Sequence, residues 1–319
     1  MEKKISIQFK SSAYRMLKKM PGKLWFIFGE FIDNSISSYL QNREELERIN
    51  GKKFKLRIEL SFDDDDEIRI TDNAAGIDHK NWLRALQPGD IPEDDSGYNE
   101  FGMGMKYSAV WLSNHWTLKS KSINDSFQKI VHFDFHKVIS KNLEDLPYEE
   151  NYDSKITHGT QLILTQLETG KLRPFQWEKT RNHIKSIYRN FLRDDHPFYS
   201  KYKIESNIEI IAFGEKLSYD EPGFLKSQWY KDRHNLVSLE DSPEIEWKYE
   251  FDKVIKNPAK PVKIKFSGFI GILPKIKQGN NGFSYFRRGR VVEGSGDEKM
   301  FPKKISTNKG SFNFKRLFG

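Results

Sequence analysis

The 319-residue chain contains no cysteine. That excludes disulfide scaffolds, thiolate catalysis and cysteine-ligated zinc, and it fits the reducing cytoplasm, which is the expected location. No apolar run approaches the roughly 18 residues a membrane span requires, and no signal-peptide core follows Met1-Glu2-Lys3-Lys4-Ile5, so no membrane partner is expected. Internal repeats and low-complexity linkers are also missing. Acidic residues are the scarcer charge, 45 against 53 Lys and Arg, a formal net charge of +8. That excess is spread along the chain, so it permits weak contact with an anionic polymer without locating one. The length is enough for two domains, each burying its own core.

Apolar residues recur at three and four residue spacing through Leu24, Phe28, Phe31, Ile32 and Ile36, which predicts a helix from Leu24 to Leu40. Period-two alternation over Lys55–Phe62 and Glu67–Ile70 predicts two strands, with Asp63–Asp66 as the hairpin tip. A helix is expected from Gly102 to Leu112, then strands over 116–121, 127–135 and 160–167. An amphipathic helix is expected to open at Pro174 and run to about Leu192, with further strands at 208–213, 262–272 and 282–292. The domain boundary is placed just before that helix: residues 1–172 and 173–319.

Four short segments carry candidate chemistry. Glu30 and Asn34 are four residues apart, so a helix projects both from one face. A carboxylate there can deprotonate a water while the amide oxygen takes one position around Mg²⁺, leaving the rest to phosphates and water. A polar stripe on an amphipathic helix would show the same pair. Asp72 ends a predicted strand before Asn73-Ala74-Ala75-Gly76-Ile77, where it can accept from an exocyclic amine such as that of adenine; Asp is also a common turn residue. Phe101-Gly102-Met103-Gly104-Met105-Lys106 precedes a helix, whose amides and positive end suit phosphate, with Lys106 adding a point charge. It is neither a Walker loop nor a dinucleotide fingerprint. A helix start needing flexible backbone explains the glycines equally well. Thr160 follows Gly159 at the head of a predicted strand.

In this order the segments resemble the GHKL ATPase superfamily, named for gyrase, the heat-shock chaperones of ninety kilodaltons, histidine kinases and MutL. Glu30-Phe31-Ile32-Asp33-Asn34-Ser35 is similar to its first box, which implies that Glu30 is the general base and Asn34 the Mg²⁺ ligand. The segment from Asp72 to Ile77 is similar to the adenine box, implying that Asp72 holds adenine beside Gly76 and Ile77, although Ala74 replaces the usual first glycine. Gly102, Met103, Gly104, Met105 and Lys106 match the phosphate box in a form closest to the MORC branch. His158-Gly159-Thr160 is similar to the strand that closes the pocket, with Thr160 reaching the nucleotide. Residues 87–99 would then form the ATP lid.

The resemblance implies an α+β fold: a Bergerat-type two-layer α/β sandwich binding ATP and Mg²⁺, followed by a smaller α/β transducer, S5-like, over 173–319. Gly282 to Val292 resembles the strand-turn-strand of MutL and MORC-like transducers. The expected activity is Mg-dependent ATP hydrolysis driving ATP-gated homodimerisation, with nucleic acid a further partner to test. The transducer lysine that contacts the γ-phosphate is expected past Gly319, which would make hydrolysis by this chain slow. The alternative is an ATP-binding conformational switch with little turnover. A histidine kinase is disfavoured because no helix bearing a phospho-accepting His precedes the pocket.

Overall fold

A computed structural model describes residues 11–63, 66–87, 104–152, 157–168, 175–193, 207–228, 244–256, 263–276, 281–303 and 314–319. The chain divides into two compact units: Met1–Arg181 with Asp194–Leu217, and Asn182–Arg193 with Ser218–Gly319.

The first unit is a mixed α+β structure. Helices α1 (Ala13–Lys19), α2 (Leu24–Gln41) and α3 (Arg43–Asn50) precede the hairpin of β1 (Leu56–Phe62) and β2 (Ile68–Asp72). There follow α4 (His79–Arg84), α5 (Gly104–Leu112), β3 (Ser113–Lys121), β4 (Gln128–Asp134), α6 (Phe135–Ser140), β5 (Tyr148–Asn151) and β6 (Gly159–Leu167). Helix α7 (Phe175–Ile187) crosses the division, and β7 (Ile208–Ala212) and β8 (Glu215–Lys216) complete the unit. The strands form one eight-stranded sheet in the order β5-β4-β3-β6-β2-β1-β7-β8.

Each face of that sheet follows from its alternation. Leu56, Ile58 and Leu60 of β1 are fully buried, whereas Arg57 and Glu59 between them face out and pair with each other. On the buried face α2 packs over β1 and beside α5, which in turn meets β3 and β6. Leu24, Ile27, Phe28, Phe31, Ile32 and Ile36 bury the inner side of α2. The outer face carries Arg57, Glu209 and Lys216 in ion pairs, so it needs no second helical layer. Strand β7, past residue 172, pairs in parallel with β1 over Leu56–Leu60 and so belongs to this sheet.

The expected helix Leu24–Leu40 and the β1–β2 hairpin form with bounds shifted by no more than two residues. The helix expected to reach Leu192 ends at Ile187 and continues as turns through Phe191.

The second unit holds β9 (Lys226–Gln228), β10 (Glu244–Glu246), β11 (Lys248–Lys256), β12 (Lys263–Ile272), β13 (Tyr285–Arg287), β14 (Arg290–Glu293) and β15 (Leu317–Phe318). The strand-turn-strand expected over 282–292 forms as the β13–β14 hairpin. Phe224, Leu273 and Phe318 make a small core, with Phe269 packed against it. No helix among the described residues is long and apolar enough to cross a membrane.

Candidate functional site

The site is assembled where α2, the end of β2, the head of β6 and the start of α5 converge. Helix α2 carries Glu30, Asn34 and Ser35, with Glu30 and Asn34 half-buried one turn apart and Ser35 buried. The Ser35 hydroxyl donates to Asp72 Oδ2 at 2.7 Å and ties α2 to the end of β2.

Asp72 receives two further hydrogen bonds. The backbone amides of Ala74 and Thr160 donate to its Oδ1 at 2.9 and 3.2 Å. Burial pushes its carboxyl above the usual aspartate range, and the hydrogen bonds from Ser35, Ala74 and Thr160 offset only part of that. A carboxylate offers about four acceptor positions, so three donors leave one on Oδ2 among the described residues. An exocyclic amine is the natural complement to it.

The turn after Asp72 is held from both sides. Ala74 is 1% exposed, and its backbone avoids the left-handed region, so alanine in place of glycine costs no strain there. Its carbonyl meets His158 Nδ1 at 2.7 Å, while His158 Nε2 lies 2.8 Å from Asn50 Nδ2. A carbonyl can only accept, so His158 Nδ1 is the donor in that bond. Gly76 has φ +70°, and a Cβ there would fall 2.9 Å from Ser122 N and closer still to the Lys121 carbonyl, so only glycine fits. The amide of Ile77 donates to Ser120 Oγ at 2.9 Å, and that hydroxyl lies 2.9 Å from Thr160 Oγ1. Ser120 therefore links the segment after β2 to the head of β6.

On the other side, Glu30 lies against the first residue of α5. A Cβ on Gly104 would sit 2.9 Å from Glu30 Cδ and nearer to Oε2. Tyr107, three residues on, donates to the Pro21 carbonyl at 2.9 Å, and its hydroxyl is pushed above the usual tyrosine range by burial and by the charge of Glu30. Met105 is half-buried and Lys106 is buried. Gly102 and Met103 lie outside the described residues, as does the lid segment beyond Gln87.

Asp72, Thr160 and Ile77 are thus joined through hydrogen bonds, and Glu30 and Gly104 through direct packing. Ser35, Ser120 and His158 are additions that sequence reasoning did not single out, although Ser35 closes the first box and His158 precedes Gly159. No group of three or more His, Cys, Asp or Glu side chains that could hold a metal occurs among the described residues. The donors present suit a hard cation bound through one protein oxygen, with phosphate oxygens and water completing its shell, which is the usual habit of Mg²⁺.

Residues 23–166 match the family described as histidine kinase-, DNA gyrase B-, and HSP90-like ATPase. The match spans every candidate site residue and supports a GHKL-type ATP-binding domain over this segment. No curated protein matches the chain.

Proposed function

We propose that the first unit binds ATP with Mg²⁺ and hydrolyses it, with Glu30 as general base, Asn34 as the metal's protein ligand and Asp72 as the adenine anchor. The observation that carries this reading is the hydrogen-bond state of Asp72: three donors hold its carboxylate, and among the described residues one acceptor position stays open on Oδ2. The Thr160 amide and the Ser35 hydroxyl orient that carboxylate, so the anchor is set before a ligand arrives. Glu30 holds a proton acceptor at the start of α5, beside the phosphate-box segment. Removing a proton from an attacking water there is worth typically 10² to 10⁴ in rate. Bound Mg²⁺ would neutralise phosphate charge, with Asn34 as the protein's contribution to its shell.

In this reading residues 1–172, with β7 and β8 completing their sheet, are the ATP-binding domain, and the rest of 173–319, with the β13–β14 hairpin, is a transducer of MutL or MORC type. ATP binding favours a closed, dimeric state because its affinity for that state is higher. Nucleic acid is the client class that the basic balance of the chain favours. Equilibrium dialysis with ATP and Mg²⁺, followed by single-turnover phosphate release, tests the core of the proposal. Saturable binding with release supports the ATPase, binding without release supports the ATP-driven switch, and no binding rejects both.

A further inference from the structure

The hydrogen bonds around Asp72 close into a ring. Its Oδ1 accepts from the backbone amides of Ala74 at 2.9 Å and Thr160 at 3.2 Å, which approach from two different segments of the chain. His158 joins those segments: it stands two residues before Thr160, and its Nδ1 donates to the Ala74 carbonyl at 2.7 Å. Both backbone polar groups of Ala74 are thus engaged, one by Asp72 and one by His158. Gly159, between His158 and Thr160, lets the ring close. Its φ is +125°, and a Cβ there would fall 3.2 Å from Asn73 Cα and nearer still to the Asp72 carbonyl, so this segment lies directly against the turn.

The imidazole is itself held from behind. Asn50, the last residue of α3, donates from Nδ2 to the Leu46 carbonyl at 3.0 Å, and the same nitrogen lies 2.8 Å from His158 Nε2. Phe54 meets the imidazole edge-on at 5.9 Å, with the Tyr39 ring of α2 a further 6.1 Å from Phe54. His158 is 7% exposed and Ala74 1%. A buried carbonyl stripped of its donor is costly, so without the imidazole the turn would move to find another partner.

Three roles can be weighed against these contacts. A ring that only filled space would need no donor aimed at a carbonyl. A metal ligand or a general base needs a ring nitrogen open to its ligand, and both nitrogens of His158 are engaged. Orientation of the carboxylate uses every contact: the bond to Ala74, the short link to Thr160, and the support from Asn50 and Phe54 that keeps the ring from swinging.

We propose that His158 is a positioning residue that sets the direction of the Asp72 carboxylate, and through it the preference of the pocket for a 6-aminopurine. By keeping the Ala74 and Thr160 amides together on Oδ1, it leaves Oδ2, which Ser35 holds at 2.7 Å, as the oxygen turned to the base. The inference rests on the proposed role of Asp72 as the adenine anchor. A fixed acceptor discriminates because a base lacking the amine leaves it unpaired, whereas a carboxylate free to turn can find other donors.

The test uses the full chain with Mg²⁺ and compares ATP with purine riboside triphosphate, which carries hydrogen in place of the 6-amino group. Equilibrium dialysis gives both affinities, and the wild type should prefer ATP at least about tenfold. His158→Asn sets an amide nitrogen where Nδ1 stood and should keep that preference within about twofold. His158→Leu has the same branched shape without a donor, and the preference should fall about fivefold or more. His158→Gln carries its amide one carbon further, to the place of Nε2, and should behave as the Leu variant does. A merely structural role would weaken both nucleotides equally and leave the preference unchanged. Circular dichroism checks the fold of each variant, and hydrogen exchange on the wild type needs no substitution: the Ala74 and Thr160 amides should open in one event. Equal preference in the Asn and Leu variants overturns the inference while the ATP reading stands, and so do unrelated exchange rates for the two amides. A wild type that binds neither nucleotide, or both alike, overturns the anchor and this inference together.

Discussion

The carboxylate of Glu30 occupies the space that a side chain at Gly104 would need. With Glu30 Cδ 2.9 Å from the position of such a Cβ, the glycine of the third segment is dictated by the acid of the first, although 74 residues separate them. Gly104 lies outside the left-handed region, so its role is room for the carboxylate rather than backbone freedom.

Gly104→Ala should therefore act on catalysis more than on the helix. At the first position of a helix alanine gains little over glycine, so the cost is mainly the roughly 1–3 kcal/mol of overpacking. The cheaper relaxation is for Glu30 to swing away, because the far end of its side chain is what the methyl meets. Phosphate release should fall at least about tenfold, as expected when a general base is displaced, while the thermal midpoint moves by only a few degrees. Unchanged turnover would mean that Glu30 does not act from this position.

Glu30→Gln separates chemistry from binding. The amide keeps the shape beside Gly104 but cannot take a proton, so turnover should drop by about 10² to 10⁴ while ATP affinity stays within a few-fold. A variant that hydrolysed ATP at the wild-type rate in a single-turnover assay would remove Glu30 from the mechanism.

The parts of this architecture that could be read in the chain are those whose signal is local. Helix α2 shows its apolar spacing through Leu24, Phe28, Phe31, Ile32 and Ile36, and β1 shows strict alternation. Helix α3 stayed invisible because five of the eight residues of Arg43–Asn50 are charged and it buries only Leu46. The parallel pairing of β7 with β1 depends on a partner about 150 residues away, which no local pattern encodes. The same holds in the site. Asp72 could be nominated from its place at a strand end, but its bond to Ser35 and the link from Ile77 through Ser120 to Thr160 exist only once β2, β3 and β6 are side by side.

Asp72→Asn should weaken nucleotide binding about 5- to 150-fold with little loss of fold. Its Oδ1 can still accept from the amides of Ala74 and Thr160, and its new amide can donate to Ser35, whose hydroxyl retains the Phe31 carbonyl at 3.2 Å. The adenine amine would then face a donor instead of an acceptor, a mismatch costing roughly 1–3 kcal/mol. In the wild type the anchor must be ionised, and burial holds its pKa above the ordinary 3.8. ATP affinity should consequently fall, as pH is lowered, at a higher pH than an ordinary carboxylate would give. The raised folded pKa means that this group favours the folded state most at low pH and loses that contribution as pH rises through it. Titration calorimetry across the acid range should show the loss of binding while circular dichroism stays native. An ATP affinity insensitive to acid would rule out an ionised anchor.

The second unit offers a separate test in Lys299. Its side-chain nitrogen is buried, donates to Ser284 Oγ at 2.8 Å and lies 5.6 Å over the Phe318 ring. Arg189, also buried, donates to the same hydroxyl at 3.4 Å, and the Ser284 hydroxyl donates to the Gly294 carbonyl at 2.7 Å. Burial, reinforced by Arg189, pushes the Lys299 pKa down to about 6 from the ordinary 10.5. Between those values the unfolded chain binds the extra proton, so this group makes stability rise with pH across the window and contributes no slope below about 6. Lys299→Met keeps the length of the side chain and removes the titration. The variant should be more stable than the wild type at neutral pH, with the difference shrinking as pH climbs toward 10.5. Urea unfolding midpoints measured across that window check the sign directly, because parallel slopes for the two proteins would mean that Lys299 is charged and solvated in the folded state.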